Sequence, residues 1–297
     1  MDQLNFLVFG AGFSGLTAIG AMMRRNPGAV IAGTTRDAEK AANLQARGIT
    51  AHVFDGALDS ALENAILGAT HILVSTAPTE DGDPVLNAAV DTIGRAKNLQ
   101  WIGYYSTIGV YGDAGGAWID EDFPTQIHNP RIGWRLEAEA QWSALAAKRG
   151  LPLAILRLAG IYGPGRSAFE KLRAGTARRI IKPGQVFNRI HNEDIGEITA
   201  LAAHRRLSGI FNIADDEPAP PQDVIAYAAD LLGVVPPPET GFEAADLSPM
   251  ARSFYAGNRR VRNAKIKAAL GYGLRHPTYR EGLAAILAGE RGGAGGR

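Results

Sequence analysis

A glycine turn near the start of the chain has the spacing of a phosphate-binding loop. Gly10, Gly12 and Gly15 form a Gly-x-Gly-x-x-Gly pattern that also contains Phe13 and Ser14. The first glycine permits a tight turn, the second lets a pyrophosphate approach the backbone, and the third allows close packing of helix on sheet. The N–H groups at the start of the following helix can then bind the phosphates. The pattern predicts a dinucleotide site.

The choice of dinucleotide depends on the residues about 20 positions after the glycines. Proteins that bind NAD carry an acidic residue there, whereas an arginine nearby accommodates the 2′-phosphate of NADP. This chain has Thr35 and Arg36 there, followed by Asp37. Arginine attracts the 2′-phosphate of NADP, whereas an acid repels it. We therefore predict NADP, and Asp37 keeps NAD open.

Two further groups of residues follow predicted strands. An aspartate after the third strand can accept a hydrogen bond from adenine, and small residues after the fourth let the backbone pass the cofactor ribose. In parallel sheets ligands bind at these strand ends, although each group is also typical of a simple turn. The residues assigned in this way are Asp55, Gly56, Ser75, Thr76, Ala77 and Pro78.

The elements that must position these residues alternate along the first 160 residues. Apolar runs predict strands over 4–9, 29–35, 50–54, 71–76, 100–106 and 153–158, and helical patterns lie near 14–25, 38–47, 59–67, 85–97 and 132–149. Such alternation predicts an α/β fold with a doubly wound parallel (Rossmann) sheet. Residues 186–191 and 209–213 are expected to return to that sheet.

Composition bounds the organisation and the partners. We predict a Rossmann domain over 1–160 completed by 186–213, a smaller, mainly helical substrate domain over 161–185 and 214–290, and a disordered tail over 291–297. The formal net charge of +1 gives no reason to expect nucleic acid or membrane as a partner. The chain has no cysteine and no apolar run approaching a membrane span, so we expect a cytoplasmic protein without disulfides or cysteine metal sites. We assign no residue to a metal.

Three later segments carry a family resemblance. Residues 105–112 (YSTIGVYG), 156–165 (LRLAGIYGPG) and 189–195 (RIHNEDI), together with the glycine turn, resemble the extended branch of the short-chain dehydrogenase/reductase superfamily, which contains epimerases and dehydratases. The resemblance implies a Rossmann domain that holds NAD(P) and a small C-terminal domain that closes over the substrate.

The chain departs from that family at its proton-transfer residues. Members carry Tyr-x-x-x-Lys, but the matching positions here are Arg131 and Arg135, and the sequence contains no Tyr-x-x-x-Lys pair. Arginine stays protonated at any working pH, so Arg131 cannot act as a base. Arg135 can still hydrogen-bond the cofactor ribose. Thr107 matches the family's catalytic Ser/Thr, and its alternative role is a strand-end threonine bonded to backbone.

Two substitutions count against a nucleotide-sugar substrate. Gly160, which we assign to the cofactor site, replaces the family asparagine, and Phe187 stands where an arginine grips the substrate phosphate. The pattern resembles the atypical subgroup of the superfamily. The remaining candidates for catalysis are Thr107, Tyr162 and His191.

We therefore predict an NADP-dependent oxidoreductase of a small carbonyl, imine or hydroxyl compound. The alternative is a non-catalytic NADP-binding sensor, and a nucleotide-sugar epimerase or dehydratase ranks third. In the helix over 132–149, helical spacing predicts a buried stripe that packs in the core or pairs two copies as a homodimer. The stripe consists of Trp134, Ala138, Trp142 and Leu145.

Overall fold

The computed structural model describes residues 3–294. Its strands are β1 Asn5–Phe9, β2 Val30–Thr35, β3 Thr50–Val53, β4 His71–Val74, β5 Trp101–Thr107, β6 Trp118–Ile119, β7 Leu153–Leu158, β8 Gly160–Tyr162, β9 Arg179–Ile181, β10 Arg189–His191, β11 Gly209–Ile213, β12 Glu239–Gly241 and β13 Arg260–Val261. Its helices are α1 Phe13–Arg25, α2 Ala38–Gln45, α3 Ser60–Gly68, α4 Pro84–Arg95, α5 Pro130–Arg149, α6 Ala168–Arg173, α7 Asn192–His204, α8 Pro221–Leu232, α9 Pro249–Phe254, α10 Ala264–Leu270 and α11 Tyr279–Ala294.

Seven strands form one parallel sheet in the order β11-β7-β5-β4-β1-β2-β3, which confirms the predicted Rossmann architecture. The chain runs from β1 outward to β3 and then returns to β4 on the other side of β1. In such sheets ligands bind where the strand order reverses, outside the carboxyl ends of the strands. The fold therefore places its natural ligand crevice at the ends of β1 and β4.

Of the two segments predicted to return to this sheet, residues 209–213 join it and residues 186–191 do not, so the second prediction is wrong. β11 joins it, but β10 instead pairs with β8 in a separate two-stranded sheet. The Ala159 amide donates to Ile213 O at the end of β7, and the next amide, that of Gly160, donates to Asn188 O. The chain therefore leaves the large sheet after β7, and β8 pairs with the segment around residues 189–191.

The predicted stripe of α5 lies largely in the core. Ala138, Trp142 and Leu145 are buried in the main apolar cluster, whereas Trp134 is partly exposed. The Trp142 indole Nε1 donates to Asp83 Oδ2 at 3.1 Å. That same carboxylate caps α4, so the tryptophan is fixed by a hydrogen bond as well as by packing. Pairing of two copies through α5 stays a prediction.

The chain divides into two compact units. The first runs up to Val110 and adds Gln126–Arg157 and Ile195–Phe211; the second contains Tyr111–Thr125, Leu158–Asp194 and the chain from Asn212 onward. Residues 111–125 and 186–194, which the sequence assigns to the Rossmann domain, thus belong to the second unit. Residues 291–294, expected in a disordered tail, continue α11, and residues 295–297 lie outside the described part. Within the described helices, none has the length and apolar character that crossing a membrane requires.

His71 on β4 gives the fold a sensitivity to acid. Burial lowers the pKa of this imidazole from 6.5 to about 4, and the charges of Arg206 and His204 act in the same direction. Since the folded-state pKa is the lower one, the unfolded chain binds more protons. The stability that neutral His71 contributes is complete above pH 6.5 and is lost as the pH falls from 6.5 towards 4.

We expect this loss to reach about 3 kcal/mol and to disappear in His71→Phe. The measurement is the free energy of unfolding by urea at a series of pH values. The slopes of this free energy against pH are compared, because the substitution also changes packing and so shifts the stability at every pH. His128→Gln, which removes an exposed histidine, should keep the wild-type slope. Equal slopes in His71→Phe and the wild type would contradict the prediction.

Candidate functional site

The glycine turn joins β1 to α1, and β2 fixes its backbone. Gly10 has a φ of +86°, and its amide donates to Thr34 Oγ1 at 2.9 Å. A Cβ added to Gly15 would lie 2.2 Å from Gly10 O, so only glycine fits there. A Cβ added to Gly12 would have no heavy atom within 4 Å beyond its chain neighbours. The backbone at Gly12 is therefore open to a ligand.

The first turn of α1 offers its positive end at the same place. Gly12 is the N-cap residue, no side chain caps the helix, and its first turn contains no acidic residue. Phe13 and Ser14 begin this turn, as predicted from the pattern. An uncapped helix start with an open glycine in front of it is suited to bind a phosphate.

The end of β2 carries a cation beside an acid that is already engaged. Arg36 is exposed and has no ion pair or hydrogen bond within residues 3–294. Asp37 instead caps α2, because its Oδ1 accepts hydrogen bonds from the amides of Glu39 at 2.8 Å and Lys40 at 3.4 Å. Thr35 Oγ1 accepts a further bond from the Asp37 amide. Of the two charged residues, the arginine is thus the one without a partner among residues 3–294.

The predicted residues after β4 meet the glycine turn. The Ser75 amide donates to Phe9 O at 2.8 Å, and a Cβ on Gly10 would lie 3.2 Å from backbone atoms of Ser75 and Thr76. The Thr76 hydroxyl oxygen is buried and has no partner in the described part of the chain. Ala77 and Pro78 follow in the same irregular segment. An unpartnered hydroxyl beside the turn is a further group that a ligand can satisfy.

The end of β3 is tied to the end of β2. The Phe54 amide donates to Thr35 O at 2.8 Å. The next residue, Asp55, is exposed, and Gly56 has a φ of +117°, which favours glycine. Contact of Asp55 and Gly56 with adenine stays a prediction.

Thr107 is the last residue of β5, and its hydroxyl oxygen already accepts one hydrogen bond. Its Oγ1 accepts a hydrogen bond from the Gly109 amide at 3.0 Å. This is the alternative role predicted from the sequence, a strand-end threonine bonded to backbone. The hydroxyl proton has no acceptor among residues 3–294, and the side chain is partly exposed. A hydroxyl that already accepts one hydrogen bond and whose proton is free can donate to a ligand.

Beneath Thr107 lies a buried network that the sequence does not reveal. Glu139 on α5 and Arg157 on β7 are 5% and 4% exposed and form a two-pronged ion pair, with Nη2 to Oε2 at 2.7 Å and Nε to Oε1 at 3.1 Å. The Ser106 hydroxyl donates to Glu139 Oε1 at 2.5 Å. The residue preceding Thr107 is thus anchored to α5 by a charged group.

The two arginines at the family's Tyr and Lys positions differ in their surroundings. Arg135 is partly buried, and its Nη1 donates to Tyr104 Oη at 3.0 Å and to Tyr105 O at 2.8 Å. It therefore ties α5 to β5 two residues before Thr107. Arg131 is exposed at the start of α5, and nothing in the described chain pairs with it. A contact of Arg135 with ribose stays a prediction.

The remaining predicted residues belong to the second unit. Gly160 is exposed at the start of β8, and its role towards the cofactor stays a prediction. Tyr162 is 8% exposed within an apolar cluster, and its hydroxyl donates to Thr278 O at 3.3 Å. Burial, with a smaller effect of the Asp215 charge, raises the pKa of Tyr162. These are the features of a packing residue.

His191 is likewise enclosed. It is 1% exposed, and its ring lies 5.1 Å from the Tyr162 ring in an edge-to-face arrangement. Burial, followed by the charge of His276, lowers the pKa of His191 to about 4. The imidazole is therefore neutral at neutral pH and is not an acid that can supply a proton there.

Two relatives indicate what the chain is similar to. It is 31% identical to Protein YeeZ of Escherichia coli strain K12 over 245 residues, which are 77% of this chain and 84% of that protein. It is 29% identical to the 3-diazoavenalumate denitrifying reductase of a Streptomyces species over 180 residues, 56% of this chain and 58% of that protein. The match thus covers little more than half of the reductase. No model of a protein family matches the sequence.

Solved structures share the fold over nearly the whole chain. A conserved protein of unknown function from Silicibacter pomeroyi is 48% identical, with a TM-score of 0.87 over 96% of this chain and 98% of that one. A candidate NAD-dependent epimerase/dehydratase from Methylobacillus flagellatus is 25% identical, with a TM-score of 0.72 over 98% and 100%. The dTDP-glucose 4,6-dehydratase of Bacillus anthracis, solved with NAD, shares the fold at 16% identity, with a TM-score of 0.78 over 97% of each chain. Two of these three neighbours are thus described as enzymes of the epimerase/dehydratase type.

Proposed function

We propose that this chain, which belongs to the family of the Escherichia coli protein YeeZ, is an NADP-dependent reductase of a small electrophilic molecule. The observation that carries the proposal is the open glycine turn before an uncapped helix, with an unpaired Arg36 at the end of the neighbouring strand. The turn and helix bind a pyrophosphate, and the arginine binds the 2′-phosphate that distinguishes NADP from NAD.

The engagement of Asp37 supports NADP over NAD. An NAD site needs an acid whose oxygens are free for the ribose hydroxyls. The Asp37 carboxylate already accepts two amides of α2 and lies 3.9 Å from Lys40 Nζ. Both amide bonds are accepted by Oδ1, so use of this oxygen for ribose would compete with a cap worth about 1 kcal/mol, and Oδ2 is the oxygen near Lys40.

The residues at the end of β5 define what the site can do chemically. When bound, NADPH supplies a hydride. Thr107 donates its free proton as a hydrogen bond to the substrate oxygen or nitrogen and so stabilises the negative charge that develops there. Arg131 stays protonated and cannot relay a proton, so the proton that completes the product comes from water.

This arrangement favours substrates for which hydride transfer is the demanding step. The partial relative from Streptomyces is, by its name, a reductase that removes nitrogen from a diazo compound. An arenediazonium ion accepts a hydride and releases N₂ without any protonation, so it needs no tyrosine. Diazonium compounds therefore belong in the substrate panel beside carbonyls and imines.

The proposal is tested by following NADPH oxidation by the purified chain against carbonyl, imine and diazonium compounds. With a carbonyl or imine that is turned over, we expect Thr107→Ala to lower kcat/KM by about 10–100-fold, since a hydrogen bond to developing negative charge is lost. Thr107→Ser keeps the donor and should retain most of the activity. The Kd for NADPH should stay the same in both variants.

A second function, a non-catalytic NADP sensor, is favoured by one observation. The exposed Arg131 stands where the superfamily's proton donor is expected, and arginine cannot donate a proton at neutral pH. Tight NADPH binding with no turnover across the panel would replace the reductase by the sensor. Failure to bind either NADPH or NADH would overturn both.

Cofactor preference is tested separately at Arg36. We expect Arg36→Glu to weaken NADP⁺ binding by about 10–100-fold, because a charge-assisted hydrogen bond becomes a repulsion, while NAD⁺ binding changes little. The measurement is the Kd of each cofactor by isothermal titration calorimetry. Arg47→Glu reverses an exposed charge after α2 and should leave both constants unchanged. An equal loss for NAD⁺ and NADP⁺ would show that Arg36 does not read the 2′-phosphate.

A further inference from the structure

The second unit contains a cluster of two histidines and a glutamate that the reductase chemistry does not use. One ring nitrogen of His191, one of His276 and one carboxylate oxygen of Glu193 lie within 4.8 Å of one another. His276 Nε2 is 2.9 Å from Glu193 Oε2, and the centroids of the two imidazole rings are 4.0 Å apart. Two imidazoles and a carboxylate are the protein ligands of one class of zinc site.

One histidine of this cluster has a ring nitrogen without a partner in the described structure. His191 Nε2 is buried and has no hydrogen bond to any residue from 3 to 294. Its other nitrogen, Nδ1, only accepts a long bond of 3.3 Å from the Glu193 amide. A buried polar atom without a partner is costly, and a metal ion is a partner for it. Coordination through Nε2 moves the ring proton to Nδ1 and gives up only that long contact.

A buried carboxylate holds the second histidine in place. Asp194 accepts hydrogen bonds from Tyr272 Oη at 2.8 Å, from the Arg275 amide at 2.7 Å and from the His276 amide at 3.0 Å. The backbone that carries His276 is therefore fixed to the residue next to Glu193. Groups that fix the ligands in this way are a regular part of metal sites.

Access to the cluster is through Glu193, whose side chain is 43% exposed. The cation next to it, Arg275, lies 3.6 Å from the carboxylate and is 63% exposed, so it can turn into solvent when an ion enters. Ligand atoms around tetrahedral zinc are about 3.3 Å apart. Small side-chain rotations therefore suffice to bring the three atoms together.

We propose that His191, Glu193 and His276 bind one zinc ion, with water as the fourth ligand. The ion joins the start of α7 to the segment before α11 and so links residues 83 positions apart in the sequence. Zinc that binds the folded chain stabilises it by mass action. The test of this site does not involve the cofactor.

The test uses the full chain, stripped of metal with a chelator and titrated with ZnCl₂ by calorimetry. We expect one ion per chain, a rise in Tm on addition, and the absorption bands of tetrahedral cobalt when Co²⁺ replaces zinc. Glu193→Gln, at a partly exposed position, should weaken zinc binding by at least about 10–100-fold, which is the loss typical when a residue that hydrogen-bonds a metal ligand is removed. His276→Gln should do the same, and His204→Gln, at an exposed histidine, should bind like the wild type.

Absence of zinc binding in the wild-type chain, or zinc binding that is unchanged in both Glu193→Gln and His276→Gln, would overturn the site. An octahedral cobalt spectrum together with a stoichiometry that falls in His204→Gln would also overturn it, since the ion would then be bound by surface histidines. Circular dichroism of each variant without metal separates loss of binding from loss of fold. Because no measurement involves NADPH, the outcome is independent of the reductase proposal.

Discussion

Replacing Gly12 with alanine should leave the free energy of unfolding unchanged or slightly higher and weaken NADP⁺ binding by about 100-fold. Gly12 has φ −89° and ψ −157°, a conformation that alanine adopts without strain, and its added Cβ would meet no atom within 4 Å. The same methyl group occupies the space through which a pyrophosphate approaches the backbone. The loss of about 3 kcal/mol corresponds to hydrogen bonds to a charged phosphate.

The matched control is the third glycine of the turn. In Gly15→Ala the new Cβ would lie 2.2 Å from Gly10 O, so the start of α1 must shift away from the turn. We expect this variant to lose about 1–3 kcal/mol of stability as well as cofactor binding. Urea denaturation and calorimetry on both variants give the comparison. A Gly12→Ala protein that still binds NADP⁺ normally would place the phosphate elsewhere.

Removal of the buried carboxylate under Thr107 should have the largest effect on stability. Glu139→Ala leaves the Arg157 guanidinium in the core without its carboxylate, and loss of one partner of such a pair costs about 3–5 kcal/mol. Glu137→Ala, at an exposed position two residues earlier, should change stability by at most about 0.5 kcal/mol. Unfolding by urea measures both.

A double variant separates charge from shape. Glu139→Leu combined with Arg157→Met replaces the ion pair with apolar groups, and we expect it to regain most of the stability that Glu139→Ala loses. If the apolar pair restores stability but lowers kcat/KM, the network's role is to hold Ser106, and with it Thr107, in position. A Glu139→Ala protein as stable as Glu137→Ala would contradict the buried pairing.

The sequence predicts the cofactor side of the fold well because its signals are local. Each strand and helix predicted in the first 158 residues is present within two residues at either end. The glycine turn and Arg36 follow strands whose apolar runs are unambiguous, so their place at the sheet edge follows from the order of elements. The seven-stranded sheet itself is a consequence of the same alternation.

Prediction from the sequence fails for residues whose position depends on pairing between segments far apart in the chain. β10 is only three residues long, and its partner is selected by where β7 ends rather than by its own pattern. Glu139 and Arg157 are charged residues, which a pattern reading assigns to the surface, and only the packing of α5 against β7 shows them to be buried. Tyr162 and His191 carry chemically capable groups, but their burial is decided by the fold of the second unit.

The cap that Asp37 provides for α2 limits how the cofactor preference can change, by selection or by design. Removing the positive charge at Arg36 takes away a contact to NADP but supplies no new acceptor for the ribose of NAD, and Asp37 already uses Oδ1 for the helix and has Oδ2 near Lys40. Conversion therefore needs a second acid that leaves the cap intact. Thr35, the last residue of β2, is the position for it, and we expect the two changes to work only in combination.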